Sequence, residues 1–254
     1  MTPRPPARTT TRLIPPALAA LALILLAVAA AEFIVQQRQD DYVRAATREA
    51  LAASRGPDVD SKVAALRDYV RARVRNVDFS AKGRPFLRDT AADTLRSGRG
   101  RCGEATRVFV NMARAAGIPA QRLYLEGRKA HVVAAVDAGG GRTLIVDATN
   151  RFYFPEVEPI GGLSRHGEFT TYSTFGWRRL SPLRALPSNF VSLGPLAYLF
   201  ENPHALLAAL SLLSSAAALA LAALFRRRLP RRLTQADAEN FAIRVKLEGE
   251  GAEA

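Results

Sequence analysis

Two runs without an ionised side chain constrain this chain more than any other feature. Residues 13–31 carry no charge, and residues 203–225 carry none apart from a neutral His204. Each is long enough for the roughly 20 apolar residues of a bilayer-crossing helix. What lies between them must then fold as a unit on one side of the membrane. The second run is Ala, Leu and Ser almost throughout from residue 206, and it stops at Arg226-Arg227-Arg228, with Arg231 and Arg232 beyond. Arg4, Arg8 and Arg12 precede the first run, Glu32, Asp40 and Asp41 follow it, and Glu201 precedes the second. Lys and Arg concentrate on the cytoplasmic side of spans, so the pattern predicts both termini in the cytoplasm and the central region outside it. A cleaved signal peptide is the competing reading of the first run, because Ala29-Ala30-Ala31 forms an A-x-A-like site after a basic start. Apolar character continuing through Phe33-Ile34-Val35 favours retention, and either reading leaves the central region on the same side.

The sequence thus divides into a basic N-terminus (1–12), a first membrane-directed helix (13–35), a soluble domain (36–186), a membrane-proximal segment (187–202), a second membrane-directed helix (203–225) and a polar tail (226–254). About 150 residues suits one hydrophobic core. Residues 41–53 and 61–75 read as helices, the second with Val63, Leu66, Tyr69, Val70 and Val74 at helical spacing and Asp60 or Ser61 as its cap. A loop at 76–88 carries Phe79, Gly83, Pro85 and Phe86. A short helix follows, then a second that starts at Cys102, then strands at 122–126, 130–136 and 142–148. The class is α+β. Residues 151–186 hold Phe152, Tyr153, Phe154, Tyr172, Phe175 and Trp177. Two readings suit them: one wall or lid of a substrate groove, or packing that closes the core at the membrane interface. His166 and His204 read as a loop residue and a membrane-edge residue.

Cys102 is the only cysteine. It follows the turn Ser97-Gly98-Arg99-Gly100-Arg101 and opens an apolar helical pattern. A thiol in the first helical turn faces unpaired N–H groups and the positive end of the helix dipole, which favours its thiolate. Glu104 suits the same dipole as a first-turn acid. Downstream, His131 begins one extended segment and Asp147 ends the next, with the turn Asp137-Ala138-Gly139-Gly140-Gly141 between them. A hairpin closing at Gly139 pairs residues whose numbers sum to about 278, and so sets His131 opposite Asp147, to within one or two residues. Cys, His and Asp so placed are a candidate nucleophile, base and orienting group. A zinc site lacks a second cysteine or a close histidine pair.

Several stretches resemble the core of the transglutaminase-like superfamily. They are Ala91-Ala92-Asp93-Thr94-Leu95, Ser97-Gly98-Arg99-Gly100-Arg101-Cys102-Gly103-Glu104-Ala105, Arg114-Ala115-Ala116-Gly117-Ile118-Pro119-Ala120-Gln121, His131, and Val146-Asp147-Ala148-Thr149. The resemblance implies a papain-like fold, with a helix-start cysteine packed on an antiparallel sheet. It makes Cys102 the nucleophile, His131 the general base and acid, and Asp147 its orienting partner. It implies a cysteine protease, amidase or acyltransferase acting on amide or peptide bonds through a thioester, hydrolysis being favoured over amine transfer. No metal or organic cofactor is expected. Many relatives carry an aromatic and an acidic residue after the histidine and a tryptophan before the aspartate. Val132, Val133, Ala135 and Leu144 fill that region here, which leaves the groove and its substrate open. A second oxyanion donor beside the Cys102 N–H is unassigned, Tyr69 and Asn76 being the upstream candidates.

Charge narrows the partners. With 36 Lys and Arg against 23 Asp and Glu, the chain is formally +13 and favours anionic neighbours. Protein, peptide or envelope-polymer substrates and lipid headgroups suit it, whereas no nucleic-acid motif is present. The Ala- and Arg-rich composition suits a bacterial chain, and with the two spans predicts an inner (cytoplasmic) membrane protein with its catalytic domain in the periplasm or outside the cell. The alternative to an enzyme is a catalytically inactive membrane-tethered binding or scaffold module for a peptide or envelope polymer.

Overall fold

No glycine or proline occurs between Pro16 and Gly56, so nothing in that stretch stops a helix. The computed structural model describes residues 10–77, 89–149, 153–174 and 191–250. In it, helix α1 runs unbroken over Thr10–Ala52. The separate helices expected at 13–35 and 41–53 are therefore one element. The second long helix covers Pro203–Glu250. Two segments, Ile14–Ala52 and Pro203–Arg227, are long and apolar enough to cross a membrane.

The chain divides into two compact units, one of residues 1–33 with 207–254 and one of residues 34–206. In the first, small residues make the helix contact: Ala22, Ala29, Ser215 and Ala218 are buried, and the Ser215 hydroxyl donates to the Ala22 carbonyl at 2.8 Å. Leu21, Leu23, Ile24, Leu212 and Leu213 point outward.

The second unit is built on helix α2, Val59–Arg73. Its cap is Asp58, not the expected Asp60 or Ser61; the Asp58 carboxylate accepts the Ser61 N–H at 2.8 Å. Strand β1, Arg75–Asn76, follows. After helix α3, Ala91–Ser97, Gly98 takes a left-handed φ of 61° and turns the chain into β2, Arg99–Gly100, which pairs with β1 in parallel. Helix α4, Cys102–Ala115, leads to three antiparallel strands: β3, Ala120–Gly127; β4, His131–Asp137; β5, Thr143–Val146. Two further strands, β6 (Glu158–Pro159) and β7 (Phe169–Ser173), join the edges and give the order β6-β5-β4-β3-β7. A 3-10 turn, Ile160–Arg165, lies between them. Helix α5, Leu196–Glu201, stands before the last helix, α6.

Strand alternation sends Ala134, Val136, Leu144 and Val146 to one face, against Leu66, Val70, Phe109 and Met112 of α2 and α4. Leu123, Leu125, Val133, Ala135 and Ile145 form the other face, closed by Phe154, Leu163 and Phe169. Both β6 and β7 went unforeseen. One contains a proline in two residues, and the other, Phe169-Thr170-Thr171-Tyr172-Ser173, has no clear apolar alternation. Phe79, Gly83, Pro85, Phe86, Phe152, Phe175 and Trp177 lie outside the described residues.

Candidate active site

The Cys102 helix starts where it does because its first turn is prepared on both sides. The Glu104 carboxylate accepts the backbone N–H of Arg101 at 2.7 Å, so this acid fastens the helix start as expected of a first-turn acid. Gly100 fits beneath: a Cβ there would lie 3.0 Å from both Glu104 Cβ and Thr94 Cγ2. Cys102 is thus the first helical residue, partly buried.

His131 is the first residue of β4 and Asp147 lies one past the end of β5. The observed register pairs Ala134 with Val146 and Ala135 with Ile145, which extends to Asp147 opposite Val133. The pairing is two residues from the one expected, an even shift that keeps both side chains on one face. His131 Nε2 and Asp147 Oδ2 are 2.8 Å apart. The other carboxylate oxygen, Oδ1, accepts the Thr149 N–H and hydroxyl, each at 2.9 Å. Asp147 is fully buried, with both oxygens engaged.

With Nε2 directed at Asp147, the other ring nitrogen, Nδ1, is the one left to interact with the thiol, and each group shifts the pKa of the other. Burial alone would raise the thiol's pKa. The hydrogen bond and charge of His131, with backbone hydrogen bonds at Val132 and Gly103, outweigh it and bring the pKa below its ordinary value. For His131, burial pulls the other way, but Asp147 and Cys102 together raise its pKa to about 9. The pair therefore favours thiolate and imidazolium.

Three residues the sequence did not single out hold this arrangement. The Thr106 hydroxyl, one turn into α4, donates to the Val132 carbonyl at 2.9 Å and so ties the cysteine helix to the histidine strand. Arg71 of α2 donates from Nε to the Asp147 carbonyl at 3.0 Å and from Nη2 to Phe154 O at 2.8 Å. Thr149 closes the Asp147 turn, and the Asp-x-Thr spacing was its signal. Arg71 had none, since its partners are backbone atoms 76 and 83 residues away.

Part of the aromatic segment lies beside His131 and part in the core. Tyr153 and Phe169 stand 5.6 and 6.3 Å from the His131 ring, whereas Phe154 is fully buried in the core. His166 faces Glu158 at 3.1 Å and packs on Phe154, so it supports the core and not the thiol. Of the oxyanion candidates, Tyr69 donates to Glu49 at 2.9 Å and is committed there. Asn76 is exposed and pairs with Gly100, two residues before Cys102. Among the described residues no cluster of His, Cys, Asp or Glu could hold a metal ion.

Residues 44–158 match the model of the transglutaminase-like superfamily. Similar solved structures include a candidate cysteine protease from Cytophaga hutchinsonii, 21% identical over 48% of this chain and 41% of its own, with a TM-score of 0.39. A TGase is 19% identical over 45% of this chain and 32% of its own, with a TM-score of 0.37. EGTA-treated LapG of Legionella pneumophila is 12% identical over 56% and 79%, with a TM-score of 0.29. This chain thus spans less than half of the first two. No curated protein matches the sequence.

Proposed function

We propose that this chain, whose residues 44–158 are a transglutaminase-like superfamily domain, is a membrane-anchored thiol enzyme acting on amide or peptide bonds outside the cytoplasm. The observation that carries the reading is the 2.8 Å pair of His131 with the buried carboxylate of Asp147, beside a Cys102 thiol whose pKa His131 lowers. The Cys102 thiolate attacks the amide carbonyl carbon, and the tetrahedral intermediate collapses as imidazolium His131 gives its proton to the leaving amine. Water then attacks the thioester, His131 takes its proton, and the acid product leaves with the thiol restored. Asp147 keeps the ring oriented and offsets its charge throughout. The Cys102 N–H supplies one oxyanion donor, and Asn76 is the candidate for the second.

Hydrolysis is favoured over amine transfer. Mass spectrometry of a glutamine-containing peptide, incubated with and without a primary amine, tests both. Conversion to the acid in either case, lost in Cys102→Ala, is expected; amine adduct as the main product would make the chain a transferase, and no product at all would remove the enzyme reading. Val133, Ala135 and Leu144, where many relatives differ, are buried core residues, and the Val132 carbonyl receives Thr106.

Retention of the first span is supported by the continuity of α1. The same helix that carries residues 13–35 places Val43, Ala46 and Ala50 in the core of the domain. Cleavage after Ala31 would cut it in mid-course.

A further inference from the structure

Two aromatic rings pack on the His131 imidazole, and each is held there by its own device. The ring of Phe169, in β7, is centred 6.3 Å from that of His131 at an interplanar angle of 22°. Phe169 pairs with Gly127 of β3, where a Cβ would lie 2.3 Å from the Glu168 carbonyl oxygen and 2.9 Å from Phe169 Cα. Only glycine lets the two strands approach so closely, and that approach seats Phe169 beside the histidine. Phe154, fully buried, backs the Phe169 ring at 5.9 Å and 17°. Tyr153 stands 5.6 Å from His131 at 53°. The residues after it are fastened from α2: Arg71 donates to the Phe154 carbonyl at 2.8 Å and to the Pro155 carbonyl at 3.2 Å, and Arg67 donates to the latter at 3.3 Å. Tyr153 and Phe169 also meet each other edge-on, 5.4 Å apart at 73°, so the three rings form a closed triangle.

The bond from His131 Nε2 to Asp147 fixes one corner of the imidazole and leaves its plane free to tilt about that corner. Proton exchange with the thiol needs the opposite nitrogen held in one direction, and two rings packed on the imidazole remove the tilt. They act on charge as well, because the face of an aromatic ring is negative and attracts a neighbouring cation. Building on the thiol-enzyme reading above, we propose that Tyr153 and Phe169 are positioning residues of the site, their rings holding the plane of His131 and stabilising its positive charge. Among the described residues, the ionisable groups acting directly on His131 are Asp147 and Cys102, and the Lys129 ammonium lies one ring away, 5.3 Å from the centre of Tyr153. Burial opposes the charge on His131, whereas Asp147 and Cys102 favour it. The aromatic side chains enter both sides of that balance, since they exclude water and also present a negative face. Leucine in their place keeps the apolar surroundings and removes the face, which separates the two effects.

The test follows the titration of His131 by NMR in the full chain, isotope-labelled at histidine Cε1, in uncharged detergent micelles, with His131→Ala identifying its signal. Wild type is expected to titrate at about 9. Tyr153→Leu and Phe169→Leu should each lower that midpoint by roughly half to one pH unit, and Tyr153→Phe, which keeps the ring, should leave it in place. The midpoint for alkylation of Cys102 by iodoacetamide should rise in the same two leucine variants, because a weaker imidazolium supports the thiolate less. An unchanged His131 midpoint in Tyr153→Leu overturns the inference. So does a midpoint that rises, which would show the rings to act by burial alone, and so does an equal fall in Tyr153→Phe, which would assign the effect to the hydroxyl. Tyr153 is half-buried, so its variants carry the test if Phe169→Leu does not fold. Wild type separates the two levels: a His131 midpoint at the ordinary 6.5 with an ordinary thiol profile defeats the enzyme reading itself, whereas a raised midpoint indifferent to leucine defeats only the role given to the rings.

Discussion

Burial opposes ionisation of the Cys102 thiol, and the direction of its shift is decided by the groups it touches. Because its pKa is lowered in the folded chain, the stability it contributes is present above its unfolded value near 9.0 and is lost as pH falls through the folded value. His131 has the opposite sign. Its pKa is raised from 6.5 to about 9, so its contribution is full below 6.5 and is lost as pH rises through about 9. Thiolate and imidazolium coexist between the lowered Cys102 value and about 9, and activity should occupy that window, declining on its alkaline side as His131 loses its proton. Asp147→Asn keeps the size of the side chain but removes the charge that orients and stabilises the ring. It is expected to lower the rate on the order of 10³–10⁴-fold in a folded protein, measured on any peptide amide the wild type cleaves. Retention of wild-type rate would remove Asp147 from the mechanism.

At the scale of elements, α4 is fastened at three heights. Its start is fixed by Glu104, its first turn by Thr106 to β4, and its middle by a buried ionic clasp with the segment before α6. There Glu201 Oε1 is 2.6 Å from Arg122 Nε, and Oε2 is 3.5 Å from Arg107 Nε, with all three side chains at most 8% exposed. Next to it, the Asn202 amide donates to Asn111 of α4 at 2.9 Å. Glu201→Gln should therefore cost about 3–5 kcal/mol, because two guanidiniums lose the carboxylate they share in a dry site. Urea unfolding measures this, and a change under about 1 kcal/mol would show the clasp to be solvated. Thr106→Val, of nearly the same volume, should loosen the register between Cys102 and His131 and move the thiol pKa back toward its ordinary value with little loss of fold.

The same elements show what the sequence could and could not disclose. Helix α4 and strands β3 to β5 were legible because apolar periodicity, a glycine turn and a helix-start cysteine each act over a few residues. The placing of His131 beside Asp147 followed from them, with a two-residue error in register that parity made harmless. Strands β6 and β7 were not legible, since a two-residue strand ending in Pro159 and a Thr-rich strand exist only through their neighbours. Glu201 was legible as a charge ahead of an apolar run but not as a buried partner of Arg107 and Arg122. Those partners are 94 and 79 residues away in sequence, the latter as the Arg122 hydrogen bond spans them.

At the scale of the whole molecule, the proposed topology rests on Arg226, Arg227 and Arg228 after the second apolar run and on the basic start before the first. Glu201 adds nothing to it, being spent inside the domain. Retention of the first run makes a direct prediction: N-terminal sequencing of the membrane-bound protein should begin upstream of residue 13. A start at Glu32 would establish cleavage. If the domain faces outward, a membrane-impermeant maleimide should label Cys102 in intact spheroplasts, and labelling only after lysis would reverse the orientation.

The measurement that bears most directly on the central claim is the rate of Cys102 alkylation by iodoacetamide as a function of pH, in the full chain and in His131→Ala. A reactive thiolate titrating below the free-cysteine value of about 8.5, displaced upward in the variant, is the result the structure predicts. A thiol that titrates at or above that value, and does so equally in a folded His131→Ala protein, would contradict the assignment of Cys102 and His131 as a catalytic pair.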